Sequence, residues 1–129
     1  RAAARRAPRR SADAPLRGNV WRLSQDAQGC RRVQTALTEA DTDKAREDIV
    51  DELRGHVWEA VHCPHGNYVI QQVVTTMRAA SCPFVVEEIA RRGIGAVCKL
   101  ARHALGCRVL QRMLEHWPDQ AHCLVEGLV

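Results

Sequence analysis

Aromatic residues are scarce: three Trp, one Tyr and one Phe make up 4% of the 129 residues. Aliphatic side chains must therefore do most of the packing in any core. No CxxC pair occurs among Cys30, Cys63, Cys82, Cys98, Cys107 and Cys123. Several of these cysteines stand at apolar or repeat-equivalent positions. Their pattern excludes a small secreted disulfide framework and points to free, buried thiols in a reducing compartment. No apolar run approaches the length of a membrane span, and no signal-peptide pattern is found. Convincing strand alternation is missing too, which points to an all-α fold. The chain lacks an initiating Met and stops on Leu128-Val129 inside an apolar pattern. The expectation is a piece of something longer.

What is present begins with an uneven charge. The total is +4, but residues 1–17 hold Arg1, Arg5, Arg6, Arg9, Arg10 and Arg17 against Asp13 alone. That start carries +5 and leaves residues 18–129 at −1. Its Arg/Ala/Pro composition reads as a disordered basic tail. A nearly neutral body argues against a binder that works mainly by phosphate attraction.

The body repeats. Gly18-Asn19-Val20-Trp21, Gly55-His56-Val57-Trp58 and Gly95-Ala96-Val97-Cys98 open three blocks, 37 and then 40 residues apart. Eleven residues after each opening glycine comes a second: Gly29, Gly66 and Gly106. A period in this range marks a solenoid whose units bury their apolar faces against neighbours. The units are 18–54, 55–94 and 95–129.

Each unit reads as three helices. A short one follows the opening glycine (Val20 to Leu23, Val57 to Val61, Val97 to Ala101). The second glycine is expected to act as a turn before a longer helix. There Val69, Ile70, Val73, Val74 and Met77 recur at helical spacing, as do Val109, Leu110, Met113, Leu114 and Trp117. A third helix follows Asp41, Thr42 or Asp43 in the first unit, Ser81 and Pro83 in the second, and Pro118 in the third. The first of these third helices is acidic (Asp41, Asp43, Glu47, Asp48, Asp51, Glu52), and the simplest reading is a solvated face. The second helices carry Arg31, Arg32, Arg78, Arg108 and Arg112. Arg32 departs from the pattern: it stands where the other units have Val69 and Val109. A buried, unpaired guanidinium is costly, so Arg32 must reach outward or mark an altered end.

With the second glycine as zero, positions one, two and five read Cys30, Arg31, Gln34; Asn67, Tyr68, Gln71; and Cys107, Arg108, Gln111. Positions one and five stack on one helical face, and position two lies beside them. Polar tips next to a planar Tyr or Arg suit an unpaired nucleobase. Trp21, Trp58 and Trp117 sit off this face and read as packing residues.

These residues resemble Pumilio (PUF) repeats over roughly residues 18–129. The resemblance rests on the Gly-x-Val opening and on Gly66-Asn67-Tyr68-Val69-Ile70-Gln71 and Gly106-Cys107-Arg108-Val109-Leu110-Gln111. It implies a right-handed α-solenoid of three-helix repeats, most like the third to fifth units of an eight-repeat array. It also implies single-stranded RNA binding at one base per unit. By family pattern Cys30, Gln34, Asn67, Gln71, Cys107 and Gln111 contact base edges, while Arg31, Tyr68 and Arg108 stack. Asn67 with Gln71 implies uracil, and Cys with Gln implies adenine. Antiparallel binding then gives 5′-A-U-A-3′. The implied role is post-transcriptional control of messenger RNA through 3′ untranslated regions, with decay or repression factors as further partners. A cytoplasmic monomer, without membrane, cofactor or enzyme activity, completes the expectation.

Two rivals stay open. One is a PUF-like nucleolar protein that binds RNA with little sequence preference; the other is a HEAT- or armadillo-like protein scaffold. His62, Cys63 and His65 lack metal-ligand spacing around the Pro64–Gly66 turn. Cys107 near His103 has no orienting third group for nucleophilic catalysis.

Overall fold

The computed structural model describes residues 15–126, so most of the basic tail (1–14) and Leu128 lie outside the described residues. Helices account for the described architecture. The first unit contains α1 (Val20–Ser24), α2 (Ala27–Glu39) and α3 (Asp43–Asp51). The second contains α4 (Val57–His62), α5 (Gly66–Thr76) and, after a 3-10 turn at Ala79–Ser81, α6 (Phe84–Ala90). The third contains α7 (Ile94–Arg102), α8 (Gly106–His116) and α9 (Pro118–Val125). Among the described residues none of these helices is long and apolar enough to cross a membrane.

Local chemistry fixes the starts of the third helices. Thr42 caps α3 by accepting from the Ala45 N–H at 3.0 Å, a stabilisation of about 1 kcal/mol for such a cap. Pro118 occupies the first turn of α9, where its missing N–H costs nothing.

The opening glycines do what a β-carbon would resist: Gly18, Gly55 and Gly93 hold φ of 83°, 86° and 91°. In the third unit the residue is Gly93, not Gly95. There α7 starts at Ile94, ahead of Val97, whereas α1 and α4 start on the matching Val20 and Val57 themselves. Gly95 is simply a helical residue.

The second glycines are not turn residues. Gly29 lies inside α2, while Gly66 and Gly106 are the first residues of α5 and α8. What they provide is close approach. A β-carbon on Gly29 would fall on the Leu23 carbonyl, and one on Gly106 would run into Leu100 Cδ1. At Gly66 the crowding is milder, with Cys63 Cβ at 3.1 Å.

Helices α2, α5 and α8 form a continuous packed row, and each first helix reaches the next unit, α1 onto α5 and α4 onto α8. In α5, Val69, Ile70, Val73 and Val74 are all buried, because a neighbour covers each flank. Helix α2 has α5 on one side only, and buries Val33 and Leu37 while Arg32 and Ala36 stay half-buried. Helix α8 buries the opposite pair, Val109 and Met113, and leaves Leu110 half-buried and Leu114 53% exposed. Arg32 is therefore not in the core. It lines the open groove on the outer flank of α2 together with Arg31, Thr35 and Glu39.

Two glutamates, Glu52 of the acidic segment that reads as solvated and Glu88 of α6, prove to be ties within a unit. Glu52, just past α3, accepts from the backbone N–H of Gly18 at 2.8 Å and of Val20 at 3.1 Å. Glu88 in α6 accepts from Gly55 at 2.5 Å and Val57 at 3.1 Å. Each carboxylate satisfies orphan N–H groups at the start of a first helix. Of the remaining acids of α3, Asp43, Asp48 and Asp51 are exposed, as expected, while Glu47 is half-buried; the pairs of the three aspartates with Arg46, Lys44 and Arg54 lie at the surface.

Trp117 is buried, and its Nε1–H donates to the Met77 carbonyl at 2.9 Å, tying the third unit to the second. Trp21 and Trp58 are half-buried against the core. All six cysteines are free thiols; only Cys30 and Cys82 are buried, and Cys123 is exposed. Burial pushes the Cys82 thiol up to about 12.

Candidate nucleic-acid interface

The row α2, α5, α8 carries the three polar stations side by side. At position two, Arg31 and Arg108 are exposed and Tyr68 is 47% exposed, so all three planar groups are free to stack. At position five, Gln34 and Gln71 are half-buried and Gln111 is exposed. The stations are linked: Gln34 Nε2 donates to the Tyr68 carbonyl at 3.2 Å, which sets the glutamine of one unit beside the aromatic of the next. One turn further along, Gln72 Nε2 donates to Thr38 Oγ1 at 3.0 Å across the same junction.

Position one lies deeper than the other two. Cys30 is 5% exposed and Asn67 has no exposed surface at all, while Cys107 is half-buried. In every unit the position-one side chain donates to the carbonyl three residues back: Cys30 Sγ to Ala27 at 3.4 Å, Asn67 Nδ2 to Pro64 at 3.0 Å, and Cys107 Sγ to Ala104 at 3.5 Å. Burial pushes the Cys30 thiol up, against the opposing pull of Arg31, which keeps it a protonated donor. Asn67 also donates to the Cys63 carbonyl at 2.8 Å, and its Oδ1 accepts from Gln71 Nε2 at 2.9 Å.

A further position emerges that the sequence pattern does not single out as a group. Three residues before each second glycine stand Asp26, Cys63 and His103. Their side chains accept from the glycine N–H: Asp26 Oδ1 from Gly29 at 2.6 Å, Cys63 Sγ from Gly66 at 3.2 Å and His103 Nδ1 from Gly106 at 3.1 Å. Each satisfies an orphan donor at the start of a reading helix. Fixed spacing to the glycine is the available signal, but the three chemistries differ too much to look like one function. His103 thus spends its acceptor on backbone, also taking the Leu105 N–H at 3.1 Å, rather than activating Cys107. His62 faces the Trp58 carbonyl through Nδ1 at 2.8 Å. Among the described residues no group of three or more His, Cys, Asp or Glu is placed to hold a metal ion.

The surface so built offers alternating planar groups and amide tips along one helix row, with little net charge in the body. It suits unstacked bases better than a phosphate backbone.

A sequence profile described as the Pumilio-family RNA binding repeat matches residues 19–54, 62–90 and 96–126. Pumilio homolog 12 of Arabidopsis thaliana is 28% identical over 102 residues, covering 79% of this chain and 17% of that protein. Pumilio homolog 1 of Xenopus laevis is 35% identical over 111 residues, covering 86% of this chain and 9% of its own length. In structure, the Puf3 RNA binding domain bound to the Cox17 RNA 3′ UTR recognition sequence superposes with a TM-score of 0.78 at 31% identity. That match covers 88% of this chain and 31% of the Puf3 chain. The chain thus spans less than a fifth of these curated relatives.

Proposed function

The chain belongs to the Pumilio family of RNA-binding repeat proteins, and from that premise we propose that it binds single-stranded RNA sequence-specifically, one base per unit. The observation that carries the reading is the in-register row of Arg31, Tyr68 and Arg108 beside Gln34, Gln71 and Gln111 on α2, α5 and α8. The bond from Gln34 to the Tyr68 backbone carbonyl supports it further, because it ties the position-five amide of one unit to the second helix of the next. Binding does not require catalysis, and the one His near a position-one Cys is occupied with backbone.

The triplet is 5′-A-U-A-3′, with Gln111 and Gln34 on the adenines and Gln71 on the uracil. Such sites in messenger RNA 3′ untranslated regions would make the chain a cytoplasmic, monomeric regulator acting through recruited decay or repression factors. Stacking contributes on the order of 1–3 kcal/mol per base, and association consumes several kcal/mol of that. Three units by themselves therefore bind weakly.

Competition between short single-stranded RNAs, AUA-containing against scrambled, tests the reading. Preference for AUA supports it. Equal binding means an RNA binder without sequence preference, and no binding at all means a protein scaffold.

A further inference from the structure

We propose that the arginine-rich segment at the start of the chain grips the RNA backbone on the 3′ side of the triplet, along the outer flank of α2. This rests on the RNA-reading function above, in which Gln34 takes the 3′ adenine. It adds a phosphate contact that the reading stations do not make.

Charge divides between two parts of the chain. Residues 18–129 sum to −1, whereas residues 1–17 carry +5. Amide tips and planar groups read bases but leave the phosphates without a partner. A phosphate backbone calls for cations, and the guanidinium fork pairs with its oxygens two at a time. Arg1, Arg5, Arg6, Arg9 and Arg10 all precede Pro15, with Asp13 the only acid among them.

The place where this segment joins the fold decides which end of the RNA it meets. The Asn19 side chain donates to the Pro15 carbonyl at 2.9 Å, and the Asn19 N–H donates to the Leu16 carbonyl at 2.9 Å, which pins the junction. Leu16 lines the open groove on the outer flank of α2 together with Arg31, Arg32, Thr35 and Glu39. The reading row runs α2, α5, α8, so a strand that continues past α2 crosses this flank. By the antiparallel polarity of the reading above, that continuation is the 3′ one. Arg32, where the other units carry Val69 and Val109, makes the flank basic rather than apolar. An extended stretch from Pro15 back to Arg5 spans up to roughly 35 Å, enough to follow several nucleotides.

Helix α3 is the rival surface, because Leu16 also lines a groove with Asp48 and Glu52. The acids on that side are engaged already. Glu52 holds the Gly18 and Val20 N–H groups, and Asp43, Asp48 and Asp51 pair with Arg46, Lys44 and Arg54. An RNA strand is the denser and less compensated anion.

The test uses the 129-residue chain and two RNAs of equal length and composition. One carries AUA followed by a run of cytidines, the other the same run followed by AUA; no station is assigned cytosine. Wild type should bind the 3′-extended RNA about tenfold more tightly at about 50 mM salt, and the difference should fall below about twofold at about 0.5 M. Replacing Arg5, Arg6, Arg9 and Arg10 by Gln should make the two RNAs equal at low salt, with thermal melts to confirm an unchanged fold. Glu39→Lys adds a cation to the α2 flank and should tighten the 3′-extended RNA alone, by about twofold to fivefold. Equal binding of both RNAs by wild type, a difference that ignores salt or survives the quadruple variant, or a Glu39→Lys variant without effect overturns the inference. So does a quadruple variant that binds RNA more tightly than wild type, the sign of a segment held on α3. Base reading is checked separately with a scrambled core in both RNAs. A wild type that prefers AUA yet ignores its placement has lost only the backbone grip; one indifferent to the core loses the reading and the grip with it.

Discussion

In the middle unit, α5 buries Val69, Ile70, Val73 and Val74, whereas α2 buries only Val33 and Leu37 of the equivalent four positions and α8 only Val109 and Met113. The three helices share a plan, and the difference comes from neighbours: α5 is covered on both flanks, the outer two on one each. The two open flanks are themselves unlike. That of α2 presents Arg32, Ala36 and Thr35; that of α8 presents Leu110 and Leu114, in a groove with Leu124 and Val125. A position's burden in a solenoid depends on what lies beside it as much as on its place in the repeat. The arginine that looks like a core defect when the units are aligned is an open-flank residue in the fold.

Substitutions at matched positions probe this contrast. The largest effect is expected where helices touch backbone to backbone. Gly29→Ala should cost about 3 kcal/mol or more, because its β-carbon meets the Leu23 carbonyl, which cannot swing away. Gly66→Ala meets Cys63 Cβ at 3.1 Å and should cost about 1 kcal/mol. Urea denaturation midpoints would rank the two.

Next comes the apolar row. Ile70→Ala should cost about 2–4 kcal/mol, within the range for a fully buried side chain, and Leu110→Ala on the open flank less than about 1 kcal/mol. Equal losses in thermal melts would show that the α8 flank is as well covered as the middle unit.

The glutamate ties follow. Glu88 is 9% exposed and holds two backbone N–H groups, so Glu88→Ala should cost about 1–3 kcal/mol. Glu52→Ala, at a half-buried site, should cost about 1 kcal/mol, since water can replace part of what is lost. In the third unit Cys123 precedes the buried Leu124 as Glu52 precedes Leu53 and Glu88 precedes Ile89; it is exposed, so Cys123→Ala should be silent in the same assay.

Arg32→Val should have the smallest effect, within about 0.5 kcal/mol of wild type in denaturation. A gain much larger than that would mean that the arginine strains the core after all.

Much of this can be read from sequence, and what cannot has a physical reason. The three-helix period shows in the sequence as a repeated pattern, and the Thr42 and Pro118 starts and the polar stations are short-range signals, each contained within one turn or one helix face. The Glu52 and Glu88 ties are not legible, since their partners lie 31–34 residues away and an acid on a helix looks the same whether it faces water or an amide. The second glycines read as turns because spacing alone does not separate a glycine needed for φ from one needed for close approach. The burial of Asn67 is not legible either: helical spacing puts positions one and five on the same face but does not say that the first lies beneath the second. Its amide is buried against the Cys63 and Pro64 carbonyls, a three-dimensional feature.

Binding-site selection from a randomised single-stranded RNA pool, run on wild type and on the Asn67→Ser, Gln71→Glu double variant, bears most directly on one-base-per-unit reading. Wild type should enrich AUA. The variant should replace U with G at the middle position and leave the flanking adenines unchanged, since the introduced carboxylate offers only acceptors and the outer stations are untouched. A variant that still returns U, or one whose flanking bases change with the middle one, would contradict independent reading by each unit.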